Sequence, residues 1–196
     1  LDLMEASHCT QAEAAIRHVS NFSLHFVLAD RDGEVRYVQS GRIPKRPGVW
    51  SGLYPAEPDA KYDYEGHLQG LDLPGEQPED GIVCSANEAR LAPQGATLST
   101  LSQPAYRINR IRHLLLESTQ HDVQSFQDIQ RDLVCLREKR LRKVLLSHMN
   151  EGFLKILLSS WDGHCGPQAE GMSVFKAALD VAANVLAGRL GGDWFR

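Results

Sequence analysis

From Tyr106 onward, apolar residues recur at intervals of three and four, whereas before it they alternate in short runs broken by Pro and Gly. A period of 3.6 selects helices with one apolar face, and a period of two selects half-buried strands. One chain therefore carries a strand-and-loop half and a helical half, which makes it α+β. Ile108, Ile111 and Leu115 share one face of a first helix. Val123, Phe126, Ile129, Leu133 and Leu136 form the next stripe, with Asp122 placed to cap it. Leu141, Val144, Leu145, Phe153, Ile156 and Leu157 mark a longer helical region, weakened at Gly152. Met172, Phe175, Leu179, Ala182 and Leu186 make a last helix that Gly188 is placed to end. All these stripes are expected to be core, because an amphipathic helix buries its apolar face first. The charge run Arg137 to Lys143 is expected on a solvated face.

Upstream, a short helix is expected near Gln11 to His18. After it, Leu24, Phe26 and Leu28 alternate with His25 and Val27, and Val35, Tyr37 and Val38 follow Asp-Arg-Asp-Gly. Asp-Gly between two such runs predicts a hairpin, since Gly takes positive φ without steric cost. A calcium loop beginning at Asp30 fails on spacing. It needs Gly at position six and Glu at twelve, where this chain has Gly33 at four and Gly41 at twelve. Gly41 to Asp80 reads as a long Pro/Gly-rich excursion, punctuated by Pro44, Pro47, Pro55, Pro58, Pro74 and Pro78. Gly81 to Asn87, "GIVCSAN", reads as a short buried strand ending at a polar Asn.

The remaining composition narrows the function classes. With 196 residues, 42% hydrophobic and 23% charged, the chain is long enough for one ordinary domain or two small ones. A net charge of −4 with no basic half argues against a nucleic-acid partner. No apolar run approaches the roughly 20 residues that span a bilayer, so membrane insertion is not expected. Cys9, Cys84, Cys135 and Cys165 are scattered without zinc spacing and are expected to be isolated thiols. Beginning at Leu1 rather than Met, the sequence reads as a mature or excised piece.

The order of short motifs goes further than period and composition. "FVLADRDGEVRYVQSGRIPKR" is followed by "YDYEG" at 62–66, "GIVCSANEAR" at 81–90 and "PAYRINRI" at 104–111. "DIQRD" at 128–132 and "WDG" at 161–163 complete the series. This succession resembles the penicillin acylase (penicillin amidase) family of N-terminal-nucleophile hydrolases, over the middle of their large β chain. The resemblance implies part of an αββα-type sandwich followed by a mainly helical region. It divides the chain into a strand-and-loop part, 1–100, and a helical part, 101–196, of the same β chain. It implies acyl transfer from a small-molecule amide to water, by a Ser at the first residue of the β chain. Leu1 has no nucleophilic side chain, so that segment is expected to lie outside these residues and the chain alone to be inactive. Its partners would be the remaining segments of the acylase α and β chains.

The same resemblance implies particular site residues. The family's oxyanion Asn lies in a motif similar to "S-A-N-E", pointing to Asn87, and the Arg that positions the site matches Arg107 in "P-A-Y-R". Where the family carries a second Asn this chain has Glu88, and near the calcium-ligating Asp of some members it has Leu98. No cofactor and no metal are therefore expected. The hairpin is expected to be scaffold for the strand that delivers Asn87. Substrates implied include β-lactam side-chain amides and acyl-homoserine lactones, and the compartment implied is periplasmic or secreted. A non-catalytic helical interaction module and a degenerate family member are the other readings.

Overall fold

The computed structural model describes residues 2–48 and 50–190. Leu1, discussed above for its lack of a nucleophilic group, lies outside the described residues. The chain divides into two compact units, Leu1–Leu116 and Glu117–Arg196.

The first unit opens with helices α1 (Asp2–Glu5) and α2 (Cys9–Arg17) and the hairpin β1 (His25–Ala29) and β2 (Val35–Gln39). The hairpin is antiparallel, with His25 opposite Gln39 and Ala29 opposite Val35. The Asp-Arg-Asp-Gly turn is organised by Asp30. Its Oδ1 accepts the N–H groups of Asp32 and Glu34 at 3.1 and 3.0 Å, and Gly33 supplies φ of +83°. Its Oδ2 accepts the N–H of Cys9 at 3.0 Å, so the same carboxylate caps the start of α2. Those three N–H groups hold the Asp30 carboxyl below its usual range, that of Cys9 most strongly.

The excursion after the hairpin holds more order than its composition suggests. β3 (Arg42–Pro44) pairs with β4 (His67–Gln69), and β5 (Gly75–Glu76) joins the hairpin beside β2. Arg17 ties α2 to this segment, donating to the carbonyls of Gly70 and Leu73 at 2.8 and 2.6 Å. β5 passes so close to Arg17 that a Cβ on Gly75 would sit 1.8 Å from the guanidinium. Ile43, Leu68, Leu73, Ala92 and Leu98 form a buried cluster, while Ile16, Tyr37 and Val38 are fully buried. Leu98 is thus a packing residue.

The expected strand at Gly81–Asn87 is absent. Residues 82–85 have no regular ladder, and the pairing that follows consists of isolated bridges, parallel from Glu88 to Gln103 and antiparallel from Leu91 to Thr97. A strand needs a continuous neighbour for its N–H and C=O groups, and here side chains serve instead: Ile82 N–H bonds Asp80 and Arg90 bonds the Cys84 carbonyl. Helix α3 (Tyr106–Leu116) closes the unit, held to the loop by the Arg112–Asp80 ion pair.

The second unit is helical: α4 (Val123–Gln130), α5 (Leu136–His148), α6 (Phe153–Ser160) and α7 (Glu170–Leu190). Asp122 caps α4 as expected, its carboxylate accepting the N–H of Ser125 at 2.8 Å while Ser125 Oγ accepts that of Asp122. Three expectations fail in detail. The 123–136 stripe is interrupted, since α4 ends at Gln130 and Leu136 opens α5. The region from Leu141 to Leu157 is two helices, broken between His148 and Phe153. α7 runs through Gly188 to Leu190, because a lone Gly lowers helix stability by only about 1 kcal/mol.

The unit's core is small. Leu158, Trp161 and Phe175 are buried, the two rings 5.2 Å apart, and α7 passes so near Trp161 that Gly171 has no room for a Cβ. Trp161 donates to the His164 carbonyl at 2.6 Å, and the Asp162 carboxylate accepts His164 N–H, so "WDG" is the turn that seats this indole. Arg142, within the basic run, donates to the Ser159 and Trp161 carbonyls, while most of that run faces solvent as expected. The stripes, in contrast, are not all core. Val123, Phe153 and Ile156 are 76%, 72% and 64% exposed, and Val144, Val181 and Leu186 are exposed as well. Among the described residues of this unit those faces have nothing to pack on.

Candidate functional site

Asn87 is the one non-glycine residue with left-handed backbone among the described residues, at φ +61°. Such a conformation is tolerated by Asn better than by most side chains, yet it must be held by its surroundings. Two contacts hold it. Its carbonyl accepts the N–H of Gln103 at 2.7 Å, and Glu88 reaches back to accept the N–H of Ala86 at 2.8 Å. The Asn87 side chain is exposed and makes no hydrogen bond among the described residues, so it caps no turn. Its amide keeps both N–H donors for a ligand.

Glu88 is half-buried and engaged on both oxygens. Arg90 Nε donates to it at 2.7 Å, while the same guanidinium pairs with Glu76 on β5 at 2.7 Å and lies 3.8 Å over the ring of Tyr37 on β2. Burial raises the Glu88 carboxyl, but the Ala86 N–H and the Arg90 charge outweigh it and hold the group below its usual range. Burial pushes the Tyr37 phenol upward, and burial together with Arg90 pushes His25, which bonds the Tyr37 hydroxyl, downward. The extra carboxylate is therefore spoken for by a cation. The hairpin reaches the Asn87 segment through Tyr37, Arg90 and Glu88 in turn.

Arg107 is the second residue of α3 and is exposed. It makes no hydrogen bond or ion pair among the described residues, and none links it to Asn87. Their connection runs through the chain, since the Gln103 that holds Asn87 precedes α3 by a short turn. The residue that sequence reasoning missed is Arg90. Its signal was the Glu-x-Arg spacing at 88 and 90, which puts both side chains on one side of an extended segment.

One other cluster has metal-ligand chemistry. Cys9, Asp30 and Glu34 bring their ligand atoms within 4.8 Å of one another. Each already has partners: the Cys9 thiol donates to the Glu34 carbonyl at 3.3 Å, Asp30 accepts three N–H groups, and Arg36 pairs with Glu34 at 2.5 Å. Burial and the Asp30 charge push the Cys9 thiol up, which favours the protonated form over a metal-binding thiolate. This cluster closes the hairpin turn onto α2. No helix of the described residues is long and apolar enough to cross a membrane.

No curated protein matches the chain. Among solved structures it is similar to the thermostable penicillin G acylase from Alcaligenes faecalis in its orthorhombic form, with a TM-score of 0.66 and 19% sequence identity. The match covers 86% of this chain and 32% of that one, so the chain spans well under half of the acylase chain's length. At that identity the likeness is one of fold: helices with small antiparallel sheets, arranged as in a penicillin acylase. The family description "Penicillin amidase" matches residues 1–196, from one end of the sequence to the other, and the chain belongs to that family.

Proposed function

We propose that this chain is part of a penicillin-acylase-type amide hydrolase and that it supplies the oxyanion donor Asn87. The carrying observation is the exposed Asn87 amide, unused by the protein and held on a left-handed backbone by Gln103 and the Glu88–Arg90 pair. A donor fixed before substrate arrives stabilises the charge that develops on the carbonyl oxygen without reorganising during the reaction. Arg107 is the positioning residue at the start of α3. The nucleophile, an N-terminal Ser of the family's β chain, lies in this reading outside these residues, and the chain alone hydrolyses no amide. Hairpin and strands belong to the N-terminal-nucleophile sandwich, and the substrate is a small-molecule amide. The compartment is periplasmic or secreted.

The exposed apolar faces of α4, α6 and α7 support the same reading, because other segments of the acylase chains would cover them. A non-catalytic interaction module would use those faces too, but it would have no need of Asn87. Kinetics on the full-length enzyme separate the two. Asn87→Ala is expected to lower kcat about 10²–10³-fold with little change in KM, since the interaction strengthens in the transition state. A folded Asn87→Ala enzyme with near-normal kcat removes Asn87 from the site.

A further inference from the structure

Cys135 and Cys165, expected to be isolated thiols, are neighbours. Val134 and His164 form an antiparallel bridge, with Cys135 N–H on the Gly163 carbonyl and Cys165 N–H on the Leu133 carbonyl, both at 2.9 Å. In that register the residues flanking the bridge point to one face, so the two cysteines lie diagonally across it on the same side. Each thiol donates to a backbone carbonyl of its own segment, Cys165 to Gly163 at 3.4 Å and Cys135 to Leu133 at 3.9 Å. Both are half-buried, and Cys135 immediately precedes α5 without a side-chain cap bond while Cys165 follows the end of α6.

We propose that Cys135 and Cys165 close into an intrachain disulfide under oxidising conditions, stapling the α5–α6 pair at its open end. Regular diagonal neighbours lie about 7–8 Å apart at Cα, and a disulfide spans about 4.4–6.8 Å. Closure therefore draws the two segments together slightly, and Gly163 and Gly166 flank the site where that adjustment falls. The oxidant is a small-molecule disulfide. Burial first, then the neighbouring Cys135 thiol, pushes Cys165 up to about 12, so Cys165 starts protonated. The Cys135 thiolate, its proton lost to solvent, breaks the oxidant's S–S bond and forms a mixed disulfide, releasing one thiolate. Cys165 loses its proton and attacks the Cys135 sulfur, releasing the second. Two protein thiols are oxidised and one disulfide is reduced to two thiols.

The experiment equilibrates the purified full-length protein with oxidised and reduced glutathione at an oxidising potential fixed by their ratio. Free thiols are then alkylated and the unreduced peptides mapped by mass. The expected result is one peptide pair joined through Cys135 and Cys165, lighter by two hydrogens than the separate peptides, with Cys9 and Cys84 alkylated. Oxidation should also raise the melting temperature by roughly 5–15 °C, because the link closes a loop of about thirty residues. That rise should vanish in Cys135→Ala/Cys165→Ala. Alkylation of both cysteines at this potential, or an equal rise in the double variant, overturns the proposal. If the double variant fails to fold, the peptide map of the unsubstituted protein decides alone.

Discussion

Residues 1–116 and residues 117–196 solve the burial problem in different ways. In the first unit, side chains reach across elements to satisfy polar groups: Asp30 caps α2 and the hairpin turn, Arg17 binds the carbonyls of Gly70 and Leu73, and Arg90 joins Tyr37, Glu76 and Glu88. In the second, one cluster around Leu158, Trp161 and Phe175 holds α5, α6 and α7 together, and large apolar side chains on α4, α6 and α7 stay in solvent. A polar network of this kind specifies one arrangement of its own elements. An amphipathic helix with an open apolar face leaves part of its stabilisation to whatever covers it.

The largest test of that contrast is in the second unit. Phe175→Ala, in the full 196-residue chain, should cost about 3–5 kcal/mol, since it empties the centre of a core too small to redistribute the loss. Chemical denaturation followed by Trp fluorescence measures it. A loss below about 1 kcal/mol would mean that the helices are held by something other than this cluster.

In the first unit, Arg90→Ala should cost about 1–2 kcal/mol, less than a fully buried pair would, because solvent reaches the edge of the group. It leaves Glu88 half-buried without its cation. Glu88→Asn keeps an acceptor for Ala86 N–H but removes the charge from Arg90, so about 0.5–1 kcal/mol is expected. On the proposed function, the full-length protein should lose amide-hydrolysing activity with Arg90→Ala as the Asn87 segment loosens. Unchanged kcat together with lowered stability would make Arg90 a stabilising residue only.

Acid should act first on the first unit. Burial and Arg90 hold His25 below its usual value, so the stability it contributes is fully present above about pH 6.5 and is lost as pH falls through its folded value. Burial raises Glu13, but the hydrogen bonds from Arg17 and Arg36 outweigh it and the carboxyl is held low. The Glu13 and Glu88 contributions are present above about pH 4.5 and are lost as pH falls further. Melting temperature should decline from pH 6.5 downward, and His25→Gln should flatten the decline between pH 6.5 and 5. A parent chain whose melting point is level from pH 7 to 5 contradicts this assignment.

The smallest effect sharpens the comparison most. Phe153→Ser on exposed α6 should change the stability of this chain by no more than about 0.5 kcal/mol. In the full-length protein the same change should cost about 1.5–3 kcal/mol if another segment buries Phe153. Equal small losses in both would leave that face in solvent.

The local signals were legible in the sequence. Asp122 before an apolar stripe marked the start of α4, and Asp-Gly between alternating runs marked the hairpin, because caps and turns depend on side chains within a few residues. Motif order pointed to the family and, through it, to Asn87 and Arg107. What failed was everything that depends on a distant neighbour. "GIVCSAN" has strand composition but, among the described residues, no adjacent strand to pair with, so it runs irregularly. Apolar spacing named the helix faces without saying which would find a surface, and Phe175 did while Phe153 did not. Glu88 looked like a stray charge until the fold set Arg90 and Tyr37 beside it, and Cys135 and Cys165 looked solitary until a single bridge joined their segments. Sequence by itself determined the hairpin turn, the cap of α4 and the helical character of the second half, since those energies are local. Tertiary structure decided the pairing of charges, thiols and apolar faces, since each of those energies depends on a partner far away in the chain.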